Sequence, residues 1–94
     1  MEIKELKDKQ SDITITGTLT DKSPIREFSK MGDPGRVCIG TIEDESGKIA
    51  LVLWNDEIDA AETGDKIKIT GGYVKTYNGE LQLTTGRSGK ISKL

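Results

Sequence analysis

The chain has no histidine, a single cysteine and only four aromatic residues, one Trp, two Tyr and one Phe. With Cys38 alone, an internal disulfide is impossible, and without histidine a zinc site lacks most of its usual ligands. General acid–base and nucleophilic catalysis lose their commonest participants as well. The carboxylates that remain sit in turns and in one acidic segment rather than converging on a point. No catalytic residue, metal ligand or cofactor is therefore assigned, and neither enzymatic activity nor a small-molecule substrate is expected. No run of apolar residues is long enough to cross a membrane, and the opening MEIKELKDKQ lacks the apolar core of a signal peptide. The expected setting is cytoplasmic, or nuclear in a eukaryote, with no membrane partner.

What is present is a chain of 94 residues, 33% hydrophobic, which suits one domain with a modest core. Turn chemistry sets its pairings. Asn78-Gly79 has the composition of a two-residue type I′ hairpin loop. Tyr77 then faces Glu80, Thr76 faces Leu81, Lys75 faces Gln82, Val74 faces Leu83 and Tyr73 faces Thr84. Period-2 alternation sends Val74, Thr76, Leu81 and Leu83 to the core, and Tyr73, Lys75, Tyr77, Gln82 and Thr84 to an exposed face. Alternation carried straight on from the inward Ile67 and Ile69 would bury both tyrosines. A bulge at Gly71-Gly72 inserts one residue, inverts the phase and turns them outward.

The preceding hairpin reads the same way. With Asp44-Glu45-Ser46-Gly47 as a four-residue loop, Glu43 pairs with Lys48, and Ile42 with Ile49, Gly40 with Leu51 and Cys38 with Leu53 pair on the inner face. Thr41 with Ala50, Ile39 with Val52 and Val37 with Trp54 then lie outside. Cys38 is read as a small buried hydrophobe. Trp54 ends a mildly apolar outer strip, and pattern alone leaves it open between a stacking platform and a tryptophan packed under a loop or helix. Placing three of only four aromatics on an outer face is costly to stability, which favours a functional reason.

Residues 2–9 are expected to make a short helical turn with Ile3 and Leu6 docking on the body of the domain. A first strand over Asp12–Thr20 alternates Ile13, Ile15 and Leu19 inward with Thr14, Thr16 and Thr18 outward, and Gly17 offers a place to bend. The stretch DKSPIREFSKMGDPG, punctuated by Pro24, Gly32, Pro34 and Gly35, reads as a long loop. Asn55 is placed to cap a short helix over Asp56–Thr63 that Gly64 ends. The net charge of −2 conceals an uneven distribution: residues 43–65 carry −7, residues 66–94 carry +5, and residues 1–42 balance. A basic groove beside an acidic far side suits an anionic partner despite the total. Lys66, Lys68 and Lys93 are read as ordinary solvated charges.

Five strands with one short helix between the third and fourth match an all-β, five-stranded Greek-key OB-fold barrel. The order Gly17-x-Leu19, Arg26-Glu27-Phe28, Gly35-Arg36-Val37, Asp44-Glu45-Ser46-Gly47-Lys48-Ile49, Leu53-Trp54-Asn55-Asp56, Gly64-Asp65, Gly72-Tyr73-Val74, and Gly79-Glu80-Leu81-Gln82-Leu83 through Gly86-Arg87-x-Gly89 resembles the OB domains of archaeal replication protein A. It is also similar to the simple single-stranded DNA-binding proteins of archaea and the sensor-of-single-strand proteins of eukaryotes. The resemblance implies base stacking on Trp54, Tyr73 and Tyr77, and binding of single-stranded DNA in replication, recombination and repair without chemistry. Some relatives carry a further aromatic where this chain has Thr84, which implies one stacking platform fewer and weaker binding. Residues 1–94 are expected to be a single OB domain excerpted from a longer, multi-domain protein. Other OB domains or replication and repair proteins are its further expected partners.

On this reading Arg26, Lys30, Arg36, Lys75 and Arg87 attract phosphates, and Gln82 and Thr84 hydrogen-bond sugar or base edges. Phe28 is either a fourth stacking aromatic or a ring packed on the barrel end. Two alternatives keep the fold. One is an RNA or transfer-RNA anticodon reader using the same face. The other is a protein-interaction OB domain that does not bind nucleic acid and presents the strip Val37, Ile39, Val52 and Trp54.

Overall fold

The computed structural model describes residues 2–94, with Lys30, Gly86, Arg87 and Ser88 described by their backbone alone. Strands Ile13–Lys22 (β1), Arg26–Lys30 (β2), Asp33–Asp44 (β3), Gly47–Trp54 (β4), Lys66–Tyr77 (β5) and Glu80–Lys93 (β6) form one sheet in the order β1-β5-β6-β4-β3-β2. β1 also pairs with β3, which closes β1, β3, β4, β5 and β6 into a ring, with β4 and β6 parallel and the other neighbours antiparallel. This is the five-stranded OB barrel, with a helix, Asp56–Ala60 (α1), between the third and fourth ring strands. An N-terminal 3-10 turn, Ile3–Glu5, buries Ile3, and Leu6 beyond it is buried too.

The derived ladders are those observed. From Tyr77 opposite Glu80 to Tyr73 opposite Thr84, every β5–β6 pair is in the expected register, and Asn78 and Gly79 both have the positive φ that a type I′ turn requires. The register shifts between Thr70 and Gly72, where Gly71 sits at φ +70°. Val74 and Leu83 consequently close the core, which with Ile15, Leu19, Ile42, Leu51, Leu53, Ile67 and Ile69 is fully shielded from water. Each such side chain contributes roughly 1.5–3 kcal/mol. Gly17 lies where β1 passes from β5 to β3; a Cβ there would meet the Glu43 carbonyl oxygen and Ile42 Cγ1, each at 2.8 Å. Close approach of two strands, rather than bending alone, is what this glycine permits.

Four expectations require correction. The long loop is a hairpin: β2 pairs with the N-terminal arm of β3 from Arg26 opposite Val37 to Lys30 opposite Asp33, and Met31-Gly32 form its turn with both φ positive. Pro34 is tolerated because that end of β3 belongs to an arm outside the ring, an edge position where a missing N–H is least costly. The β3–β4 loop is shorter than expected, since Asp44 pairs with Gly47 and leaves only Glu45-Ser46 between them. Helix α1 ends at Ala60, because Ala61 turns to extended geometry and is fully buried. Asn55 does not cap it: at φ +51° its Oδ1 accepts the Arg36 N–H at 3.0 Å, tying α1 to β3, while Gly64 donates its N–H to the Leu19 carbonyl.

Asp44 holds the base of the barrel together. Its carboxylate accepts the backbone N–H groups of Ser46 and Gly47 at 2.7 and 3.1 Å, the Ser46 hydroxyl at 2.5 Å and the Ile3 N–H at 2.9 Å. One side chain therefore fixes both the tight turn and the N-terminal segment. Burial pushes this carboxyl up, but the Ser46 hydroxyl and then the three N–H groups outweigh it and hold the pKa below the ordinary value.

Candidate nucleic-acid interface

The bulge at Gly71 and the parallel pairing of β4 with β6 bring three strands' outer side chains onto one concave surface. In register, Ala50, Gln82 and Lys75 form one row across β4, β6 and β5, and Val52, Thr84 and Tyr73 form the next. The β2–β3 arm walls one side. A groove results, lined by Arg26, Val37, Ile39, Val52, Trp54, Lys75, Tyr77, Asn78 and Gln82 together with Ser23, Pro24 and Cys38. Among the described residues it carries two cations and not one carboxylate, in a protein with 16 acids.

Trp54 is 37% exposed and is not core. Its indole N–H donates to Thr84 Oγ1 at 3.2 Å, and its backbone N–H donates to Glu57 Oε1 at 3.0 Å. The other oxygen of Glu57 accepts the Thr85 hydroxyl, so α1 ties the end of β4 to the middle of β6 beside the indole. Phe28 meets Trp54 edge to face, with centroids 5.8 Å apart and planes at 87°, a favoured aromatic geometry. Phe28 lies over its cross-strand partner Gly35, where a Cβ would come within 2.4 Å of the ring. Phe28 is thus a half-exposed wall of the tryptophan's site; the loop reading of its surroundings hid this contact. Tyr77 is 59% exposed at the hairpin end of the groove.

Not every expected residue joins this group. Tyr73 points outward as derived but is half-buried and does not line the groove. Thr84 is engaged by the indole rather than free. Gln82, expected to be exposed, is buried at 9%, and Val52 of the outer strip is buried as well, because alternation assigns a face and not its curvature. Arg36 lies on the far side of the arm, where Nη2 pairs with Asp59 at 3.1 Å and approaches the Asn55 carbonyl at 3.4 Å. Lys30 and Arg87 lie in β2 and β6, with their side chains outside the described residues. Ser23 was missed: its hydroxyl accepts the Ile39 N–H at 2.9 Å and its own N–H donates to the Ile39 carbonyl at 2.8 Å, pinning the groove's edge. The Ser-Pro pair signalled a turn, but not that partner.

Burial pushes the Cys38 thiol up, and Lys22 only partly offsets this, as suits an inert packing residue. Among the described residues no helix is long and apolar enough to cross a membrane.

A family model described as an OB-fold nucleic acid binding domain, of the tRNA anti-codon group, matches residues 13–87. The chain belongs to that family. This OB-fold domain is similar to replication factor A of Methanothermobacter thermautotrophicus, 28% identical over 91 residues, or 96% of this chain and 12% of that protein. It is also similar to the single-stranded DNA binding protein Ssb of Saccharolobus solfataricus, 23% identical over 94% of this chain and 60% of that one. A lysine–tRNA ligase of Latilactobacillus sakei matches at 33% identity over 90% of the chain and 17% of that enzyme. The OB-fold domain thus spans an eighth or less to three-fifths of the first two relatives' lengths. Among solved structures, the second OB-fold domain of replication protein A from Methanococcus maripaludis superposes with a TM-score of 0.81 at 28% identity, over 100% of this chain and 93% of that chain.

Proposed function

We propose that this domain binds single-stranded DNA with little sequence preference, serving replication, recombination and repair, and performs no chemistry. The observation that carries the reading is the groove in which Trp54 and Tyr77 stand beside Arg26 and Lys75 without a carboxylate. Aromatic faces accept any base, and cations alongside them attract the phosphates between bases. Trp54, Tyr77 and Phe28 form the stacking set, with Tyr73 at its margin, each base worth roughly 1–3 kcal/mol by alanine substitution. Arg26 and Lys75 are the primary phosphate contacts, and Lys30, Arg36 and Arg87 reinforce the same potential. A single OB module of this kind covers about four or five nucleotides. Its further partners are other OB domains or replication and repair proteins, in keeping with the names of the proteins it resembles.

The test is a titration of Trp54 fluorescence with oligothymidine at two salt concentrations. The expected result is strong quenching that weakens as salt rises. No change at either salt overturns the reading and moves the strip Val37, Ile39, Val52 and Trp54 to a protein-interaction role. The likeness to a lysine–tRNA ligase and the anti-codon group of the family model favour RNA as the second reading. Oligouridine binding tighter than oligothymidine at matched length would decide for it.

A further inference from the structure

Gln82 is the most covered polar residue of the groove at 9% exposed, with Ala50 and Lys75 beside it in register and Glu80 and Thr84 two residues away on the same face of its own strand. A side-chain amide so buried ordinarily has its hydrogen bonds satisfied within the protein. Among the described residues the side-chain bonds around it run among Trp54, Thr84, Thr85 and Glu57 and leave it out. Yet among the described residues no side-chain polar atom closed to solvent lacks a partner. The amide of Gln82 is therefore open to water, and the groove that Gln82 lines with Trp54, Lys75 and Tyr77 is where it opens.

A carboxamide holds one acceptor and one N–H donor side by side. Every nucleobase offers the complement on its Watson–Crick edge: N6–H and N1 in adenine, N4–H and N3 in cytosine, O4 and N3–H in thymine, O6 and N1–H in guanine. A half-turn about the last side-chain torsion lets one glutamine meet any of the four. In a duplex the same edges are occupied by the pairing base, whereas in single strands they are free for protein hydrogen bonds. We infer that Gln82 takes the Watson–Crick edge of one base held in the groove, so that it recognises that the base is unpaired without recognising which base it is. The inference rests on the single-strand reading above and assigns Gln82 a role that stacking does not: aromatic faces and cations supply affinity, and the amide supplies discrimination against paired strands.

The test compares oligothymidine with the same oligomer uniformly methylated at N3 of thymine, which blocks the edge while leaving charge and ring stacking in place. The wild-type domain should lose about tenfold in affinity on methylation, one to two hydrogen bonds' worth. Gln82→Met, close in volume and with nothing to hydrogen-bond, should bind both oligomers alike, and its thermal transition should stay near the wild-type value. Gln82→Glu replaces the donor with a second acceptor, which only guanine matches through N1–H and N2–H, so it should favour a dG-substituted oligomer over its dA, dC and dT counterparts. Equal wild-type affinity for both oligomers, or a methylation penalty that persists in Gln82→Met, overturns the inference while the single-strand reading stands. Failure of the wild type to bind unmodified oligothymidine overturns both.

Discussion

On the α1 side of the barrel the carboxylates are held by the protein itself: Asp59 by Arg36, Glu57 by Trp54 N–H and the Thr85 hydroxyl, Asp65 by the Glu62 N–H and Lys93. At the base Asp44 is held by four donors. In the groove, by contrast, Arg26 and Lys75 have no ion pair among the described residues. Four of the eight acids of residues 43–65 are thus committed to backbone donors, hydroxyls and local cations, while the groove's positive charge is left to solvent. Net charge is a poor guide to the partner of such a domain. What matters is which charges the fold has already used.

The comparison can be broken most forcefully at Asp44. Asp44→Ala leaves the N–H groups of Ile3, Ser46 and Gly47 without their acceptor, and we expect a loss of about 3 kcal/mol in unfolding free energy with oligonucleotide affinity of the folded fraction unchanged. Chemical denaturation and fluorescence titration of the same sample separate the two effects. The sign of the pH dependence follows from the lowered pKa: the stabilisation is complete above the unfolded value near pH 4 and is lost as pH falls through the lower folded value. Wild type should therefore lose stability below about pH 4 more steeply than Asp44→Asn. Trp54→Ala makes the opposite prediction, with affinity down by about 2 kcal/mol, near thirtyfold, and the thermal transition little moved. A collapse of that transition would instead show the indole to be structural.

The same contrast marks what was legible in the sequence. Local chemistry sufficed where a turn dictates a ladder: Asn78-Gly79 and the Gly71 bulge place Tyr73, Lys75 and Tyr77 on the outer face without reference to the rest of the chain. The β2–β3 hairpin was hidden because Pro24, Gly32, Pro34 and Gly35 are breakers in isolation, and Met31-Gly32 carries a weaker turn signal than Asn-Gly. Concavity was hidden too. Gln82 and Val52 alternate correctly, but only the closure of the ring covers them. The partners of Glu57, Asp59 and Asn55 are tertiary, and no spacing rule links α1 to Thr85, Arg36 or the backbone of β3.

Smaller effects sharpen the comparison on the groove side. Removing Arg26 or Lys75 as alanine variants should each weaken oligothymidine binding by a few-fold at low salt, uniformly across base composition, and reduce the slope of log affinity against log salt by about 0.7, the single-strand value per neutralised phosphate. Lys93→Ala is the matched control, since Lys93 is spent on Asp65 at 3.2 Å. A loss equal to that of Lys75→Ala would mean that ion pairing does not withdraw a cation from nucleic acid.

The smallest effect is the most direct test of that idea, because it adds affinity rather than removing it. Arg36 sits one residue before Val37 on the groove wall but is turned to Asp59 on α1. Both side chains are well exposed, and an exposed pair of this kind holds its partners by only about 0–1 kcal/mol. A phosphate passing the mouth of the arm can compete for the guanidinium at that cost. Asp59→Asn removes the competitor together with its repulsion of the strand, so affinity for oligothymidine should rise by about two- to threefold at low salt and the gain should vanish at high salt, where exposed charges are screened. Arg36→Ala in the Asp59→Asn background should abolish the gain. If Asp59→Asn leaves affinity unchanged, Arg36 belongs with Asp44 and Glu57 as part of the frame, and the phosphate track runs past Arg26 and Lys75 without it.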